Sequence, residues 1–148
     1  MDQRARAGVK AAVMGVIMMI IATAASAQTK SAGTKPVTHD ITVKADAVYT
    51  GTIDIAIDGG KVSGDLNVTS PTAIVGKVAG TSKAGVLNLD FPYRMTERNC
   101  TGTVRMTITL PARPGPATGT MEAGGCGRED GSKVTGTVEI TPASVKKK

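Results

Sequence analysis

Acid–base and nucleophilic catalysis need a reactive side chain beside a partner that moves its proton, and this sequence offers few such pairs. Its single histidine, His39, stands where a polar leader meets the first patterned segment. There it reads as a solvated end residue rather than a base. No serine or cysteine stands in sequence beside an evident base. Asp54 and Asp58 share a strand face, but four residues of extended chain separate them by about 13 Å, beyond the roughly 5–9.5 Å that paired glycosidase carboxylates use. They read as solubilising charges. No phosphate loop, calcium loop or metal-ligand spacing occurs. The expectation is a non-enzymatic protein with no cofactor and no metal.

Cys100 and Cys126 are the only cysteines. An even count in an exported chain favours a disulfide. Redox pairs usually sit two residues apart, and no His or Cys nearby completes a zinc shell. Closing this loop is worth about 3–4 kcal/mol in the chain-entropy account. Just ahead of Cys100, the segment from Phe91 reads as a long loop holding Tyr93, Arg94, Glu97 and Arg98. Arginine makes forked hydrogen bonds and tyrosine gives rigid contact area. These four residues are therefore the candidate contacts for a ligand or partner, weighed against a plain solvated loop with one local ion pair. Arg128, Glu129 and Asp130 form a second charged tip after Cys126, and the disulfide would make the two loops neighbours.

The elements that must position these groups begin after an export signal. Residues 1–27 combine a basic start (Arg4, Arg6, Lys10), an apolar stretch from Ala11 to about Ala25, and the small residues Ala25, Ser26 and Ala27. That stretch is shorter than the roughly 20 residues that span a bilayer. Cleavage before Gln28 is expected, giving a periplasmic or secreted product with no integral membrane segment. No cysteine follows for lipidation, and Ala5 separates the arginines that a twin-arginine signal keeps adjacent. Residues 28–38 read as a flexible leader, 39–142 as the folded domain and 143–148 as a basic tail. The chain carries +6 overall, but the signal and Lys146, Lys147 and Lys148 hold much of it. A nearly neutral body with only Tyr49, Phe91 and Tyr93 as aromatics argues against nucleic-acid binding.

From His39 onward, short Val-, Ile- and Thr-rich segments alternate apolar and polar residues between turn residues, which is strand periodicity. The clearest run is Tyr49 to Asp58, reversed at Gly59 and Gly60. An apolar-x-Gly-x-apolar unit recurs around Gly51, Gly64, Gly76, Gly102, Gly119 and Gly136. Each glycine shares a face with its apolar neighbours. Missing side chains on a concave face let a sheet coil and close, and closure removes exposed edges. The expected fold is all-β: a small antiparallel meander closing into a barrel of seven to eight strands, similar in general shape to the calycin-like barrels, with a β-sandwich as the alternative. No residue motif ties it to a named family. The functional expectation is an exported non-enzymatic binding module for a small apolar ligand. The alternative is a periplasmic protein-interaction module, such as a protease inhibitor or envelope assembly factor, acting through leader and loops.

Overall fold

Period-two alternation becomes eight extended strands in a computed structural model, which describes residues 33–128 and 130–143. The strands are β1 (Val37–Lys44), β2 (Val48–Asp58), β3 (Lys61–Ser70), β4 (Ile74–Lys83), β5 (Val86–Met95), β6 (Cys100–Thr109), β7 (Ala117–Gly125) and β8 (Val134–Pro142). Each pairs antiparallel with the next, and β8 returns to β1. The meander therefore closes into an eight-stranded barrel, not a sandwich. The expected signal segment, residues 28–32 of the leader and residues 144–148 of the tail lie outside the described residues.

β1 begins ahead of the expected domain start at His39. Val37 and Thr38 pair with Ile55 and Asp54 on β2, and the Thr38 hydroxyl donates to the Asp54 carboxylate at 2.6 Å. A short polar segment carries no pattern of its own, but a longer neighbouring strand supplies it with partners. A larger departure lies in β5, which continues through Pro92 to Met95. The expected loop from Phe91 to Cys100 shrinks to residues 96–99. Proline lacks the N–H that a ladder uses, so in sequence Pro92 marks the end of a strand. Here that missing donor falls in a gap of the β4–β5 ladder, which pairs Gly76 with Tyr93 and resumes only at Gly80 and Leu89. On its other side Pro92 stays in register with Thr103.

The repeated glycines show how closure is achieved. A methyl group added at Gly119 would lie 2.7 Å from the Ile108 Cα on the next strand, and one at Gly51 would lie 2.5 Å from the Val68 Cα. At Gly64 it would collide with the Asp54 carbonyl. The strands coil over one another so closely that no Cβ fits between them. Gly80 belongs to the same inward set, in phase with Gly76 and Val78, and escaped the sequence pattern because Ser82 rather than an apolar residue follows it. Two aromatic rings of β5 cover glycines on its neighbours: Phe91 lies over Gly76 and Tyr93 over Gly102. Such rings restore the contact area that glycine lacks.

Charges and threonines occupy the opposite, outward face, with exposed cross-strand pairs such as Arg105 to Asp90 at 2.9 Å and Lys77 to Asp65. Inside, one end of the barrel is packed solid. Ile41, Ile53, Val62, Leu87, Leu89, Ile108 and Val138 are almost wholly buried there. Two of the three connections at this end are two-residue turns, 59–60 and 84–85, while 110–116 is longer; Gly59 and Gly60 between β2 and β3 both take the positive φ of a hairpin turn. β1 starts and β8 finishes at this packed end.

Candidate functional site

The other end is open. Four connections gather there: residues 45–47 after β1, 71–73 after β3, 96–99 after β5 and 126–133 after β7. Inward positions near this end carry small residues, including Ala45, Gly51, Gly102, Ala123 and Gly125. Slender side chains leave volume that the branched residues of the packed end fill. The result is a cavity of about 490 Å³ that opens to solvent between the loops. Its wall is apolar, with Val43, Leu66, Val68, Ile74, Val104 and Val134, together with Met95, Met106 and Met121. Met106 and Met121 face each other across β6 and β7 near its floor. Unbranched thioethers adapt their shape to what they touch. Among the described residues no polar side chain is fully buried.

Polar groups are confined to the rim. Asp46 accepts the Tyr49 hydroxyl at 3.0 Å through one oxygen and faces the Arg128 guanidinium at 3.6 Å through the other. Glu97 accepts from the Thr72 hydroxyl at 2.9 Å, joining the loops after β5 and β3. The Thr96 amide adds to that junction by donating to the Ala73 carbonyl at 3.1 Å. Tyr93 points inward and donates to the Gly124 carbonyl at 3.3 Å. Burial pushes the Tyr49 hydroxyl above its ordinary 10.0; the Asp46 carboxylate adds to this through its hydrogen bond and charge, while Arg98 opposes it. Burial likewise raises Tyr93, against the lowering charge of Arg128 and with a smaller raising contribution from Asp46. Both hydroxyls are therefore protonated donors at neutral pH.

Cys100 and Cys126 form a disulfide, with Cα atoms 5.1 Å apart and a sequence separation of 26. It fastens the start of β6 to the loop after β7, and so brings the two charged loops to one rim: Glu97, Arg98 and Arg128 line the same cavity. Of the four candidate contact residues, Tyr93, Glu97 and Arg98 reach it. Arg94 does not, because it lies on β5 in the outward phase and donates to the Asn99 side chain at 2.7 Å. No ion pair joins Glu97 to Arg94 or Arg98 among the described residues. Asp130 accepts from the Ser132 amide at 2.9 Å in its own loop, and Glu129 lies outside the described residues. The described leader residues, 33–36, enter β1 at the packed end, opposite the rim loops.

Several rim and wall residues had no sequence signal. Asp46 is an isolated acid in a short loop, and nothing in its neighbourhood marks it as a bridge between loops. The methionines were legible only as inward positions. His39 sits on β1 opposite Ile53, half-buried at the packed end and away from the mouth. No group of three His, Cys, Asp or Glu side chains able to hold a metal occurs among the described residues. No helix among them is long and apolar enough to cross a membrane. The fold and site define an antiparallel meander barrel with one packed end and one open end, where a polar rim surrounds an apolar cavity. Neither protein-family models, curated proteins nor solved structures match the chain.

Proposed function

We propose that this protein is a non-enzymatic carrier or sensor of a small apolar ligand, which enters the barrel through the open mouth and is held by burial of its apolar surface. The observation that carries this reading is the 490 Å³ cavity with its apolar wall and its polar groups restricted to the rim. A concave apolar site with a few convergent polar groups is the usual form of a small-molecule pocket. Burying about 250 Å² of apolar ligand surface contributes roughly 6 kcal/mol before the cost of immobilising the ligand. Affinity in the micromolar range or weaker follows. Export to the periplasm or beyond is part of the proposal, supported by the disulfide, which persists in oxidising compartments.

All three methionines after residue 27 line the cavity, which gives a direct test. Protein carrying ¹³C-methyl methionine is incubated with a lipid extract, re-isolated, and examined by NMR and by mass spectrometry of bound small molecules. Shifted Met106 and Met121 methyl signals together with a co-isolated apolar compound are expected. Unshifted methyls and no retained compound would overturn the reading.

A further inference from the structure

We propose that Arg98 selects the ligand's head group, and that the ligand is a carboxylate bearing a single aliphatic chain. This rests on the cavity reading above and adds the chemistry of recognition to it.

The rim holds two cations and two carboxylates, and their partners decide which charge remains to be met. Arg128 already faces Asp46. Asp46 also holds the Tyr49 hydroxyl, and Glu97 holds the Thr72 hydroxyl. The Tyr93 hydroxyl is given to a backbone carbonyl. Arg98 lines the cavity mouth and has no carboxylate within ion-pair distance among the described residues. Its charge opposes the rise in the Tyr49 pKa, so it lies near that hydroxyl at the rim. A guanidinium presents a rigid fork of donors that matches a carboxylate in two parallel hydrogen bonds. A cationic head would find Asp46 already paired with Arg128, and Glu97, which keeps its charge, is turned to the loop after β3 by its bond from the Thr72 hydroxyl. A doubly charged head would meet Asp46 and Glu97 as well as Arg98, so a single negative charge fits best.

The wall sets the tail. From Cys100 to Met106 along β6, six residues of tilted strand span roughly 15 Å of depth. That accommodates a medium-length aliphatic chain in extended form, ending against Met106 and Met121. Spread over that depth, a cavity of about 490 Å³ is slender and favours one chain over a fused ring system.

The delipidated protein is titrated with decanoate, decanol and decyltrimethylammonium, each below its solubility or micelle limit, by calorimetry with the methionine methyl signals followed in parallel. Decanoate is expected to bind about tenfold more tightly than decanol, the increment of a charge-assisted hydrogen bond, and the cationic amphiphile most weakly. Arg98→Gln should reduce decanoate affinity about tenfold. Arg94→Gln, which alters an arginine outside the cavity, should leave it unchanged. Equal binding of decanoate and decanol, or an unaltered Arg98→Gln variant, overturns the head-group assignment while the cavity reading stands. Preference for the cation overturns it too. Failure of all three amphiphiles to bind or to move the methyl signals overturns the cavity reading itself.

Discussion

Asp46 organises the mouth at the scale of single side chains. It holds a tyrosine hydroxyl and an arginine at once, joining the loop after β1 to the loop after β7. Its charge also makes ionisation of Tyr49 and Tyr93 harder, on top of burial. A consequence for pH follows. Both hydroxyls have folded-state values above the ordinary 10.0, so the folded protein holds these protons more tightly than the unfolded chain does. Their contribution to stability is fully present below about pH 10 and is lost as pH rises through the folded values. Urea denaturation of the wild type and of a Tyr49→Phe/Tyr93→Phe variant between about pH 8 and 11 checks this. The wild type should lose stability relative to the variant at the alkaline end; parallel curves would refute the assignment. Ala84 makes a second residue-scale case. It stands at φ 51° beside Gly85 in the turn after β4, a conformation that costs a residue with a Cβ about 1 kcal/mol. Ala84→Asn, the residue favoured in such turns, should raise the unfolding free energy by about 0.5–1 kcal/mol, and an unchanged denaturation midpoint would count against it.

At the scale of strands, the inward glycines are where the barrel is most sensitive. At Gly64 an added methyl would meet the Asp54 carbonyl of β2, so Gly64→Ala must push two paired strands apart. A loss of about 1–3 kcal/mol is expected, the range for overpacking a tight interior. Gly124 is the control. It also lies in a strand, but a methyl there would meet nothing nearer than the Lys133 side chain at 3.8 Å. Gly124→Ala should change stability by no more than about 0.5 kcal/mol. Equal effects at both positions, measured by chemical denaturation, would mean that contact across strands is not what these glycines serve. The strands themselves were legible from alternation and turn residues, because each needs only local information. β5 was legible as far as Phe91. Its continuation through Pro92 was not, since a proline is tolerated only where the neighbouring strand leaves its missing N–H unused, and that depends on the β4–β5 register. Gly80 was hidden for a related reason: its environment is defined by Leu89 across the ladder rather than by its own neighbours in sequence.

For the molecule as a whole, the disulfide is the one covalent tie across the mouth. Replacing both cysteines by serine should lower the unfolding free energy by about 3.5 kcal/mol, from the loop it closes over a sequence separation of 26. The denaturation midpoint should fall, while far-ultraviolet circular dichroism stays that of a β protein because every ladder of the barrel is independent of the bond. Loss of the β signature would show instead that closure itself depends on the cysteines. The sequence by itself determined the strand class, the meander, the tendency to close and the pairing of the two cysteines. Alternation, turn chemistry, glycine phase and an even cysteine count are properties of the chain read in order. Only the tertiary structure decided that the interior is packed at one end and hollow at the other. That outcome depends on which inward positions share a level of the barrel: Ala45, Gly102 and Gly125 come together near the mouth, and Ile53, Leu89 and Ile108 at the packed end. The same closure turned Arg94 outward, brought Arg98 and Arg128 to one rim, and gave Asp46 partners from two loops. Spacing along the chain carries no record of such levels, because strand tilt and register set them only once the barrel is closed.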